Sequence, residues 1–154
     1  MSKHLIILTM VLIIFSAKDA SCCLTIQNEN RQLDQLIDSV NRCHCRSAYR
    51  GINRLGRHAD GEFAEYFGNQ VVNLLQSDST HGTFVTYLLY SPRDQRRHID
   101  MAIAYEIYIV AGNNYAEYLK GMIDRFCVSV NASKRKVLFN RYRKLVSKLP
   151  NKQP

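Results

Sequence analysis

The sequence predicts an all-α fold: a single-domain bundle of five or six helices, stapled by disulfides. Three observations lead there. Apolar residues recur at i, i+3 and i+4 along nearly the whole chain. Proline occurs only at Pro92, Pro150 and Pro154, so few positions force the backbone out of a helix. The one stretch with strand character has no visible partner to pair its backbone with. Hydrophobic residues at 46% and charged residues at 22% of 154 exclude disordered, collagen-like and low-complexity chains.

Taken in order, residues 1–22 read as a secretory signal peptide. Lys3 and His4 give a short basic start, and Leu5 to Ala17 is apolar but too short to span a bilayer. Ala20-Ser21-Cys22 offers small residues for a cut before Cys23, with a cut after Ala20 as the alternative. Residues 23–150 form the helical domain and 151–154 a C-terminal tail. The first helix is expected from about Gln27 to Cys43, with Leu33, Leu36, Ile37 and Val40 on one face. The second runs from Glu62 to Gln76, with Asp60 placed to cap it and Phe63, Phe67, Val71 and Leu74 inward. Thr83 to Tyr90 reads as a short buried helix ended by Pro92. Arg97 to Ala111 is apolar on most sides, as befits a central helix, and Gly112 stops it. The stripe from Tyr115 through Leu119, Met122 and Phe126 to Val130 makes another helix. The last helix, capped by Ser133, carries Leu138, Tyr142, Leu145, Val146 and Leu149 up to Pro150.

Export sets the redox chemistry. A cut before Cys23 leaves Cys23, Cys43, Cys45 and Cys127, an even count in an oxidising compartment. Cys43 and Cys45 are too close to bridge one another within a helix, so one is expected to reach Cys23 and the other Cys127. Which pairs with which stays open. Cys43-His44-Cys45 also has the look of half a metal site, but the rest of a zinc pattern is missing.

Removing the leader takes Lys3, Lys18 and Asp19 from 21 basic and 13 acidic residues and leaves a net charge of +7. Much of the excess follows Asp124, after which there is no acid. On the last helix, Arg141, Arg143, Lys144 and Lys148 are the residues expected to meet anionic glycans, weakly and in a salt-sensitive way.

No catalytic motif is present. His44, His58, His81 and His98 include no pair spaced for a helical metal face, and there is no nucleophile elbow or phosphate loop. Glu62 with Glu65 and Asp100 with Glu106 fall where solvated helix faces are expected. The nine tyrosines mostly occupy apolar stripes, which favours core packing over base stacking and argues against nucleic acid as a partner. Asn131-Ala132-Ser133 is an N-glycosylation sequon in an expected surface loop.

Leu88-Leu89-Tyr90-Ser91-Pro92-Arg93 resembles the aromatic-x-Pro-Arg segment in the N-terminal domain of arthropod hemocyanins, hexamerins and prophenoloxidases. Ala102 to Ala111 is similar to that family's helix ending in an aromatic pair and alanine, and Val130-Asn131 with Leu138-Phe139 to its Val-Asn…Phe segment. Asp94-Gln95 and Lys134-Arg135-Lys136 are extra residues relative to that pattern. The resemblance implies a solitary all-α first domain without the copper-binding middle domain, hence no oxygen carriage or phenol oxidation. It leads to the expectation of a secreted, non-enzymatic protein without cofactor, acting by binding or storage in extracellular fluid. The competing expectation is a cytokine-like ligand or host-directed effector acting on a receptor or other protein partner.

Overall fold

A computed structural model describes residues 27–150 of the chain. The leader, Cys23 and the tail at 151–154 lie outside the described residues. A helix over residues 27–43 (α1) is followed by α2 (Arg46–Leu55), α3 (Gly61–Gln76), α4 (His81–Tyr90), α5 (Arg93–Ala111), α6 (Tyr115–Phe126) and α7 (Ala132–Val146). Single 3-10 turns at Gly56–His58 and Gly112–Asn114 join α2 to α3 and α5 to α6. The described residues contain no strand, and the segment up to Tyr90 is indeed a helix.

Local chemistry explains most boundaries. Pro92 pushes Ser91 into an extended conformation (φ −77°, ψ 143°), which ends α4. The same proline is the N-cap of α5, so that helix starts four residues before the position expected from its apolar spacing. Gly112 at φ +50° terminates α5, a conformation that costs glycine little. Asp60 does occupy the N-cap of α3, but its side chain makes no capping hydrogen bond. The cap of α7 is Asn131 rather than Ser133: the Asn131 side chain accepts from the Lys134 amide, and Ser133 instead donates to Asn131 Oδ1 at 2.9 Å. The α6 stripe ends at Phe126, and Cys127 to Val130 form a turn.

Helix α2 was not anticipated. Arginines and a glycine interrupt its short apolar set of Ala48, Tyr49 and Ile52, yet all three are buried. Tyr49 stacks on Phe84 and Tyr87 of α4, with ring centroids 5.4 and 4.9 Å apart. Asn53, also buried, binds the first turns of α5: its Nδ2 donates to the Asp94 carbonyl, and its Oδ1 accepts from the His98 amide at 2.9 Å. An asparagine therefore docks α2 onto the start of α5.

Helix α5 is the hub, packing against α2, α3, α6 and α7. Its inward residues Ile99, Ile103, Ala104 and Ile107 are essentially inaccessible and meet Phe63, Phe67 and Val71 of α3 in the core. Full burial of each large apolar side chain contributes about 1.5–3 kcal/mol. The outer face of α5 departs from the expectation of a helix buried all round: Tyr105, Ile109 and Val110 are 52%, 57% and 61% exposed.

Candidate functional site

The charges on α5 and α7 sort into an internal set and an external set. Internally, Asp100 is buried in the α5–α7 contact. It pairs with Arg96 one turn earlier, accepts from the Tyr142 hydroxyl at 3.0 Å, and faces Arg141 at 3.8 Å. Both guanidiniums also bind the C-terminal end of α4. Arg96 Nε donates to the Ser91 carbonyl at 3.0 Å, and Arg141 donates to the Leu88 carbonyl at 2.6 Å. Arg46 of α2 reaches the Tyr90 carbonyl as well. Three arginines thus meet the negative end of a helix dipole and its unsatisfied carbonyls. Burial and the nearby Arg141 charge lower the pKa of Arg96, and burial drives the Tyr142 phenol well above its ordinary value.

Arg141 therefore turns inward. It was expected among the anion-binding residues, but its guanidinium is spent on Asp100 and Leu88. The reason is positional: Arg141 precedes Tyr142 on the buried edge of α7 and comes against the end of α4.

Externally, Arg143, Lys144 and Lys148 are exposed as expected. Lys148, just after α7, lines a cavity of about 280 Å³ together with Arg93 and Arg97 from the first turns of α5. Met101, Leu145 and Leu149 supply its apolar lining, and Asp100 reaches it from within. Arg93 and Arg97 are exposed. Sequence reasoning missed both because they lie some fifty residues from the basic run of α7 and only tertiary packing brings them together. With Asp100 already paired to Arg96 and Arg141, the three cations at this cavity are a net positive site.

Glu62 and Glu65 lie on a solvated face as expected, but Asp100 and Glu106 do not. Asp100 is committed to its arginines, and Glu106 lies against Gly68 of α3, where a Cβ would collide with its carboxylate. Burial, and then the charge of Glu65, raise the pKa of Glu106.

Among the described residues, no disulfide joins Cys127 to Cys43 or Cys45, and the expected bridge to Cys23 lies outside the described residues. Cys127 is buried at the end of α6, and its pKa is pushed up to about 11 by burial, as for an inert packed thiol. Cys43 and Cys45 sit together at the α1–α2 junction instead. Among the described residues, no group of three or more His, Cys, Asp or Glu could hold a metal ion. Asn131 is exposed, at the start of α7. Among the described residues, no helix is long and apolar enough to cross a membrane. Comparisons of the chain with family models, curated proteins and solved structures find no match.

Proposed function

We propose that this chain is a secreted, non-enzymatic helical binding protein that takes anionic glycans at the cavity between the start of α5 and the end of α7. One observation carries the reading: Arg93, Arg97 and Lys148 converge on a single cavity while the neighbouring carboxylate is neutralised from inside the protein. Arg143 and Lys144 extend the positive surface along α7. Secretion rests on the apolar leader at residues 1–22 and is compatible with glycosylation at the exposed Asn131. Kinship with the first domain of hemocyanins and hexamerins, and with it a storage role, belongs to the same proposal; it is supported by the segments around Pro92 and Ala102–Ala111.

Retention on a heparin column tests the binding reading. The triple variant R93S/R97S/K148S should elute at clearly lower salt than the wild type. Its thermal stability should be nearly unchanged, since all three side chains are exposed. The difference should shrink as salt approaches physiological strength, where exposed charges are screened over about 8–10 Å. Equal retention of the two proteins at low salt would refute the site.

A second reading, a helical ligand that engages a protein receptor, draws on the exposed apolar side chains Tyr105, Ile109 and Val110 of α5. Substituting Tyr105 and Ile109 with Ser would then abolish receptor capture and leave heparin retention intact.

A further inference from the structure

A second cavity, of about 300 Å³, opens between the start of α2 and α4. It shares no lining residue with the cavity of Arg93, Arg97 and Lys148. Two of its walls are the buried rings of Tyr49 and Tyr87, stacked with centroids 4.9 Å and planes 26° apart. A third is the ring of Tyr90, which is 57% exposed. Lys134 of α7 holds that ring in place: its Nζ lies 4.9 Å from the ring centre and donates to the hydroxyl. His44, in the turn before α2, closes another side.

The hydroxyl protons of the lining are spent within the protein. Tyr87 donates to the Gln95 carbonyl, Thr83 to the Thr80 carbonyl at 2.9 Å, and Thr86 to the Gly82 carbonyl at 2.8 Å. With the Thr83 proton so placed, the Tyr49 hydroxyl donates to Thr83. Arg46 is different. Of the three arginines at the end of α4 it holds on most loosely: one nitrogen, Nη2, reaches the Tyr90 carbonyl and the Ser91 hydroxyl, both at 3.4 Å. Among the described residues, its Nε and Nη1 have no hydrogen-bond partner. No carboxylate lines the cavity.

We propose that this cavity binds a small planar aromatic carboxylate, its ring against the three tyrosines and its charge on Arg46. A flat ring extends the stack that Tyr49 and Tyr87 already form. The volume is at the low end for ligand pockets and suits a single ring. One guanidinium with uncommitted donors matches a singly charged anion. A cationic ligand is disfavoured because Arg46 and Lys134 already stand at the tyrosines. A neutral sugar is a poor fit, since its hydroxyls need donors and acceptors together and the lining hydroxyls have no proton left to give.

The test is a titration of the isotope-labelled full chain with sodium benzoate, followed by amide chemical shifts. Shifts should cluster at residues 44–49 and 83–90. Benzamide on the wild type, and benzoate on R46Q, should each bind at least about tenfold more weakly, as expected for loss of a charge-assisted hydrogen bond. Cyclohexanecarboxylate keeps the charge without the flat ring and should bind several-fold more weakly than benzoate. T86W, whose indole would occupy the cavity from an exposed position on α4, should abolish binding. The R93S/R97S/K148S variant should bind benzoate as the wild type does. Equal affinity of R46Q and the wild type, or of benzoate and benzamide, would overturn the proposal. So would undiminished binding by T86W, equal binding of cyclohexanecarboxylate, or shifts centred on Arg93, Arg97 and Lys148.

Discussion

Asp100→Asn should be among the most damaging single substitutions in the helical domain. The change is nearly isosteric, so it isolates charge from packing. In the wild type, one carboxylate neutralises two guanidiniums whose side chains are only 13% and 17% exposed. Asparagine keeps an acceptor for the Tyr142 hydroxyl but leaves Arg96 and Arg141 facing each other without a counter-charge. Removing one partner of a buried ion pair costs about 3–5 kcal/mol. The low end applies, about 3 kcal/mol, because both arginines retain carbonyl acceptors at Ser91 and Leu88 and some contact with water. For a domain of this size, that lowers the melting temperature by roughly 10–15 °C. Tyr142→Phe is the control: it removes only the hydroxyl that donates to Asp100, a loss of about 1.5–3 kcal/mol, and keeps both ion pairs. Urea unfolding followed by circular dichroism measures both variants. A loss below about 1 kcal/mol in D100N, or a smaller loss in D100N than in Y142F, would refute the claim that the carboxylate's charge holds α4, α5 and α7 together.

The remaining predictions probe other contacts. Gly56→Ala should destabilise by about 1–3 kcal/mol, because its Cβ would fall 2.5 Å from the ring of the fully buried Phe67, whereas Gly82→Ala, with open space at the site, should stabilise by about 0.4–1 kcal/mol; thermal melts that rank them the other way would contradict the packing. Glu106→Gln should be more stable than the wild type at neutral pH. The folded pKa of Glu106 is raised, so the stability from its bound proton is complete below the unfolded value and fades as pH rises through the folded one. Melting curves of the two proteins should therefore converge in acid. Asn131→Ala should cost about 1 kcal/mol by uncapping α7, while Asn131→Asp should keep the cap and remove the sequon. Unfolding measurements and mass analysis after secretory expression separate the two effects.

The sequence alone determined the class and most of the helices, because periodicity, proline and glycine act locally. The stripe Phe63, Phe67, Val71 and Leu74 fixes α3 without any knowledge of its neighbours. Pro92 and Gly112 set the end of α4 and of α5 in the same way. Helix α2 escaped notice because its buried side is narrow and its stability comes from tertiary partners, namely the rings of α4 and the bridge from Asn53 to α5. The arginines show the same division. Nothing local tells Arg141 from Arg143, yet one meets the end of α4 and a buried carboxylate while the other faces water. Cysteine count suggested a staple, but bridging depends on the separation in space, and the turn at His44 sets Cys43 beside Cys45 while Cys127 packs at the end of α6. The cavity of Arg93, Arg97 and Lys148 likewise exists only once α7 has folded back along α5, because charge is written residue by residue but a binding site is made by packing.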